Sequence, residues 1–324
     1  MARKENRTTK EVKIAQVGAY HDNGHGRMEH SETYAQMGFE KGFKLRTTDR
    51  WIDISEDGQT LVTGKPVKGY GIEIETECFT IYDQTTYANL LTYAIFPHFP
   101  ANLFKLQRDG SLEGNSSAEI ISQPMTKEAL RNLYPAFKAM YDELFPAFGI
   151  SCTSTGNCGM HVNISTACMG TTKQSQEESI RKLFYVINRH YDLFLRVFNR
   201  DEDHDTFYYL QMVDYQHAKT INLNSSLYAG HHVCFNLGHY EEGRIEIRLV
   251  GGQSSFETFR ATVETIFHLV ERMKRISWNQ LDDIVSIFDG CNQHVAERIC
   301  NVGRIDENTK FDIRHNSKPV PETF

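Results

Sequence analysis

The chain lacks any run of about 18 apolar residues, the length a helix needs to cross a bilayer, so no membrane-spanning segment is expected. It also lacks a Cys-x-x-Cys pair. Its seven cysteines, at 78, 152, 158, 168, 234, 291 and 300, are odd in number, which argues against a disulfide ladder and a thiolate zinc site and points to a reducing, cytoplasmic setting. Residues Met1 to Lys13 carry Arg3, Lys4, Arg7, Lys10 and Lys13 with no apolar stretch behind them, so no secretory signal is expected. A basic surplus is missing too. With 35 Lys and Arg against 42 Asp and Glu, the formal charge is -7 and the pI near 6.1, whereas phosphate-backbone binding rests on clustered cations, so nucleic acid is not an expected dominant partner. Internal repeats and low-complexity blocks are absent. What remains is ordinary globular composition, 324 residues with 40% hydrophobic and 24% charged, enough for one large core or two modest ones.

The most informative stretch is Gly71-Ile72-Glu73-Ile74-Glu75-Thr76-Glu77, in which apolar and acidic residues alternate. In a strand, Glu73, Glu75 and Glu77 share one face and Ile72 and Ile74 the other. Same-face neighbours sit about 7 Å apart, and at an effective dielectric near 20 two such charges repel by roughly 2 kcal/mol. Either lysines on a neighbouring strand neutralise that row, or a hard divalent cation does. On repulsion alone, neutralising one glutamate should preserve or raise stability.

Residues 1–50 form a polar, Gly-rich extension with His21, His25 and His30. Three imidazoles could hold a transition metal, but Gly24 and Gly26 break any helix that would align them, and an exposed loop is the simpler expectation. Trp51 to Ile54 and Thr60 to Thr63 are expected as a hairpin across Asp57-Gly58, opening a main domain over residues 51–305. Helices are expected at Gln84 to Phe96, Lys127 to Phe145, Glu177 to Phe198 and Phe256 to Lys274, with shorter pieces at Gln280 to Phe288 and Gln293 to Cys300. Strands are expected at Leu103 to Gln107, Ala118 to Ser122, Cys158 to Ser165, Thr220 to Asn224, His232 to Leu237 and Arg244 to Leu249. The acidic run Asp201 to Asp205 is expected as solvated surface, and residues 306–324 as a polar tail.

The expected strands share one arrangement: an apolar face that helices can cover, and an opposite face bearing Glu73, Glu75, Glu77, then His161, Asn163 and Ser165, then Arg244, Glu246 and Arg248. A face meant only for water favours interchangeable Lys, Thr and Ser. Carboxylates, imidazole and arginines together suit a nucleotide cleft in which magnesium and guanidinium groups meet phosphate or a substrate carboxylate.

In that order, the motifs Gly71-Ile72-Glu73-Ile74-Glu75, Glu119-Ile120-Ile121-Ser122-Gln123-Pro124, Gly159-Met160-His161-Val162-Asn163-Ile164-Ser165 and Ile245-Glu246-Ile247-Arg248 resemble the glutamate-cysteine ligases, and more closely the amidoligase proteins grouped with them. The resemblance covers roughly residues 65 to 275. It implies an α+β fold like that of glutamine synthetase: a curved antiparallel sheet with helices on one face and a polar catalytic cleft on the other. It implies carboxylate-amine ligation, in which ATP phosphorylates a carboxylate and an amine attacks the acyl phosphate. By analogy Glu73, Glu75, Glu119 and Glu246 would bind Mg2+, with Mn2+ as the alternative ion. Arg248, helped by Arg244, would stabilise phosphoryl charge. His161 would contact metal or ATP phosphate, and Asn163 and Ser165 would line the same cleft. Asp109 falls where the family has another acidic residue, although its Asp-Gly context equally suits a turn. The expected partners are a small-molecule or peptide carboxylate and an amine, which leaves a modified nucleobase among the substrates. The competing expectations are a guanidino-kinase-like phosphotransferase, a metal-dependent hydrolase and a nucleotide-binding module without chemistry.

Overall fold

The computed structural model describes residues 44–320 apart from 82, 108–111, 113–115, 154–157, 201–214 and 231–232, together with the backbone of His21–Asp22 and Met28–Glu29. Asp109, the acidic run from Asp201, and the imidazoles of His21, His25 and His30 lie outside the described residues.

Strand β1 (Lys44–Arg46) pairs antiparallel with β2 (Trp51–Asp53). The hairpin expected across Asp57-Gly58 shrinks to a single bridge between Ile54 and Leu61. Its turn is held instead by the Asp57 carboxylate, which accepts from the Gln59 and Thr60 backbone N–H groups, while Gly58 takes a positive φ of 69°. Leu45, Ile54 and Val67 make a small core of their own here.

The main sheet has seven strands: β3 (Tyr70–Cys78), β4 (Phe104–Gln107), β5 (Ser117–Ser122), β6 (Ile150–Ser151), β7 (Met160–Ser165), β8 (Phe235–Asn236) and β9 (Arg244–Ile247). They run in the order β8-β9-β7-β3-β5-β4, with β6 on the end of β3, and every pairing is antiparallel. The fold is therefore mixed α/β around an antiparallel sheet. The alternation in the acidic stretch sorts the two faces as period-2 geometry requires. Tyr70, Ile72 and Ile74 enter the main core, where the Tyr70 ring stands edge-on to Phe267 at 4.6 Å. Thr76, the polar member of that face, is satisfied by Ala118 O and the Tyr87 hydroxyl.

The helices gather over this apolar face, the outer ones packing on other helices. They are α1 (Gln84–Leu90), α2 (Lys127–Asn132), α3 (Tyr134–Ala139), α4 (Phe145–Phe148), α5 (Lys173–Arg189), α6 (Tyr191–Val197), α7 (Tyr215–Lys219), α8 (Phe256–Met273), α9 (Ile284–Phe288), α10 (Gln293–Val302) and α11 (Glu307–His315). Reciprocal hydrogen bonds with Thr258 cap α8 at Ser255, and it buries Phe259, Val263, Ile266, Phe267, Val270 and Met273 along one stripe; Phe259 stacks on Phe137 of α3 at 4.6 Å.

Three of the expected long helices are broken. Gln84 to Phe96 becomes α1 plus a π-helical turn at Leu91–Ile95 and a 3-10 turn. In the second, Pro135 supplies no N–H and α2 stops at Leu133; a π-helical turn at Met140–Leu144 follows, and Gly149 ends α4 in the left-handed conformation. The third breaks at His190, whose Nε2 binds Leu281 O at 2.9 Å. The strand expected at Thr220 to Asn224 is instead a series of turns, because short polar side chains bind nearby backbone: Asn222 Oδ1 accepts from Asn224 N, and the Thr220 hydroxyl donates to His217 O. The segment expected as a tail carries α11, which packs on α10 and buries Ile313.

Candidate active site

Registry brings the acidic and basic residues together. Across β3, β5, β7, β8 and β9, Glu73 lies opposite His161, Glu75 opposite Glu119, and Glu246 opposite both Asn163 and Asn236. Arg248 follows β9 directly, tied by its N–H to Cys234 O at 3.0 Å. Strands distant in sequence thus place four carboxylates, one imidazole and two guanidinium groups on one side of the sheet.

His161 is the hub. Its Nδ1 lies 3.0 Å from Glu73 Oε2, 3.6 Å from Glu246 Oε1 and 3.7 Å from Glu119 Oε1, and its Nε2 lies 3.5 Å from Glu75 Oε1. Around it the carboxylates are held from the side. Asn163 Nδ2 donates to Glu73 Oε1 at 2.6 Å, and Arg244 Nη1 donates to Asn163 Oδ1 at 2.5 Å. Glu246 accepts from Arg248 Nη1 and from Asn236 Nδ2, both at 2.7 Å. Glu75 accepts from the backbone N–H of Gly159.

Electrostatics follows this geometry. Burial alone would raise the Glu73 carboxyl, but the hydrogen bond and charge of His161, a hydrogen bond with Glu119 and the charge of Arg248 hold it down at about 2. Burial and Arg248 press the His161 imidazolium downward, yet Glu75 and Glu73 outweigh them and its pKa is raised above the ordinary 6.5. The row that would repel itself is thus arranged around an imidazole whose protonated form the carboxylates favour.

The structure brings together Glu73, Glu75, Glu119, Glu246, His161, Asn163, Arg244 and Arg248. Ser165 shares their face, but its hydroxyl donates to Val67 O and accepts from Ala167 N, so it pins the chain entering the next turn. The face expected as an open cleft is closed over: Glu73 and Glu246 are 0% exposed and Arg248 only 6%. Part of the physical reason is mutual satisfaction: Glu73, Glu246 and Asn163 each find partners on the same face rather than in water. Strand alternation gives no role to Asn236, within the strand expected at His232 to Leu237, or to the Gly159 N–H, which carries no side-chain signal. It also missed Arg200, which follows α6 with no alternating pattern around it.

Two subsets offer ligand atoms within 4.8 Å of one another: Glu73, His161 and Glu246, and Glu75, Glu119 and His161. Carboxylate oxygens with a single imidazole fit a magnesium- or manganese-like ion better than a soft metal, so the donor set suits the cation expected from the sequence. Among the described residues, no helix is long and apolar enough to cross a membrane.

No protein-family model matches the chain, and no curated protein does. Among solved structures, the complex of the prokaryotic ubiquitin-like protein Pup with its ligase PafA is similar over 76% of this chain, at 11% identity and a TM-score of 0.32. The match spans 61% of that chain's length, and a likeness so distant carries no argument about activity.

Proposed function

We propose that the protein is an ATP- and divalent-cation-dependent ligase that joins a carboxylate to an amine through an acyl phosphate, on a glutamine-synthetase-like sheet. The observation that carries this reading is the convergence of Glu73, Glu75, Glu119 and Glu246 around His161, with Arg248 and Arg244 beside them. Magnesium or manganese held there would neutralise charge on a transferring phosphoryl group. The chain's own residues would do the rest. Arg248 presents a planar fork for a phosphoryl or carboxylate oxygen, Asn163 fixes the orientation of Glu73, and Arg244 fixes Asn163. The partners are then a small-molecule or peptide carboxylate and an amine.

The near-zero exposure of these groups favours one other reading: a buried polar network, with or without an ion, that organises the sheet and performs no chemistry. An ADP-release screen over pooled amines and carboxylic acids with magnesium separates the two. Magnesium-dependent ADP release together with a new amide supports the ligase. A phosphorylated guanidine with no amide would identify a phosphotransferase, turnover without nucleotide a hydrolase, and metal binding without ADP release the inert network.

A further inference from the structure

Arg200 enters the site by a built route. After α6 the chain turns sharply: Asn199 takes a positive φ of 57°, and Arg200 N returns to Leu195 O at 2.8 Å. The segment that follows Arg248 clamps this turn. Gly251 N donates to Phe198 O at 3.0 Å, Asn199 Nδ2 donates to Gly252 O at 2.8 Å, and a Cβ on Gly251 would stand 2.1 Å from Asn199 O. That clamp fixes where the guanidinium lies, with Nη1 3.4 Å from Val250 O. A Cβ on Gly159 would lie 3.0 Å from Arg200 Nη1 and 3.1 Å from Glu75 Oε2, so the two groups flank one spot.

Exposure separates Arg200 from its neighbours. Glu73, Glu75, Glu119, Glu246, His161, Arg244 and Arg248 are all buried, whereas Arg200 is partly exposed. Arg200 is thus the arginine on the Glu75 side of the cluster whose surface is not wholly withdrawn from solvent. Burial lowers the Arg200 pKa against the opposing charge of Glu75, consistent with a cation held near the cluster at a cost in solvation.

We propose that Arg200 is a substrate-binding residue that takes a terminal phosphate of a polyphosphate anion at the Glu75 side of the cluster. The inference rests on the ligase reading and extends it to the edge at which nucleotide phosphate would enter. A guanidinium serving only as a counter-ion to Glu75 would act differently, since its loss would leave tripolyphosphate binding to the Mn2+-loaded site unchanged.

The test is calorimetric, on the full chain: Mn2+ alone, then tripolyphosphate and, separately, ATP with saturating Mn2+, for wild type, Arg200→Gln and Arg200→Lys. Arg200→Gln should weaken tripolyphosphate by about tenfold or more, and Arg200→Lys by less, because charge survives and the fork does not. Mn2+ alone should bind Arg200→Gln at least as tightly as wild type, because a repelling charge has gone. Tripolyphosphate affinity within about twofold of wild type, or a parallel loss of Mn2+ affinity, overturns the assignment. Should Arg200→Gln fail to fold, Arg200→Lys decides alone by the same comparison. A wild type that binds Mn2+ but neither tripolyphosphate nor ATP defeats the ligase reading and Arg200 with it; normal ATP binding with an indifferent Arg200 defeats only the latter.

Discussion

His161 Nδ1 and Glu73 Oε2 lie 3.0 Å apart, and the same carboxylate accepts from Asn163 on its other oxygen. A residue that looks repulsive along its own strand is therefore stabilised across the sheet.

This reverses the sign expected for Glu73→Gln. Repulsion along the row alone would make the change neutral or favourable, but glutamine offers one acceptor oxygen where His161 and Asn163 each meet one on Glu73, and its NH2 group faces the other donor. Stability in metal-free buffer should fall by about 2 kcal/mol by urea unfolding, and Mn2+ binding should be lost. An unchanged or higher midpoint would mean that the Glu73–His161 contact contributes nothing net.

Arg248→Lys keeps a positive charge near Glu246 and removes the planar fork. If Arg248 meets phosphoryl charge, magnesium-dependent ADP release should drop by about tenfold or more with little change in melting temperature. Near-normal rates would remove Arg248 from the chemistry.

Away from the site, His268 gives a pH signature. Its Nε2 lies 2.9 Å from Ile287 O and its ring stacks on Phe288, and burial lowers its pKa to about 4. The folded state therefore binds this proton later than the unfolded state, whose value is near 6.5. Its contribution is complete above pH 6.5 and is lost as pH falls from 6.5 to 4, by roughly 3 kcal/mol. Unfolding of wild type and His268→Gln compared at pH 7 and pH 4.5 isolates the effect. Parallel pH dependence in the two proteins would rule it out.

Gly252→Ala drives a Cβ into Cys152 O, backbone that cannot rotate aside as a side chain tip can. The substitution should cost about 3 kcal/mol or more in unfolding free energy. A loss under about 0.5 kcal/mol would mean that the segment after Arg248 shifts freely and does not clamp Asn199.

The parts legible in the sequence were those governed by period. Alternation from Gly71 to Glu77, Met160 to Ser165 and Arg244 to Arg248 carries the face with it, because β geometry leaves a side chain only two directions. The stripe from Phe259 to Met273 marked α8 in the same way. Tertiary context decided the rest. Polar residues at Thr220 to Asn224 alternate like a strand but bind their own backbone, and the interruptions at Leu133 and His190 sit inside runs whose apolar spacing continues. Closure over the polar face could not be foreseen from any one strand, since it depends on partners such as Asn236 and the Gly159 N–H meeting carboxylates from elsewhere.

Glu73 and Glu246 lie on the first and last strands of the main sheet to leave the ribosome, with β7 between them. Until Arg244–Ile247 is made, β7 is an open edge and the acidic strand has no Arg248 within reach. The contact that completes the cluster, His161 with Glu246, joins distant parts of the chain, the kind of pairing that forms slowly. An ion held by Glu73, His161 and Glu246 would reward only the finished sheet and so act as a clasp on the last step of folding.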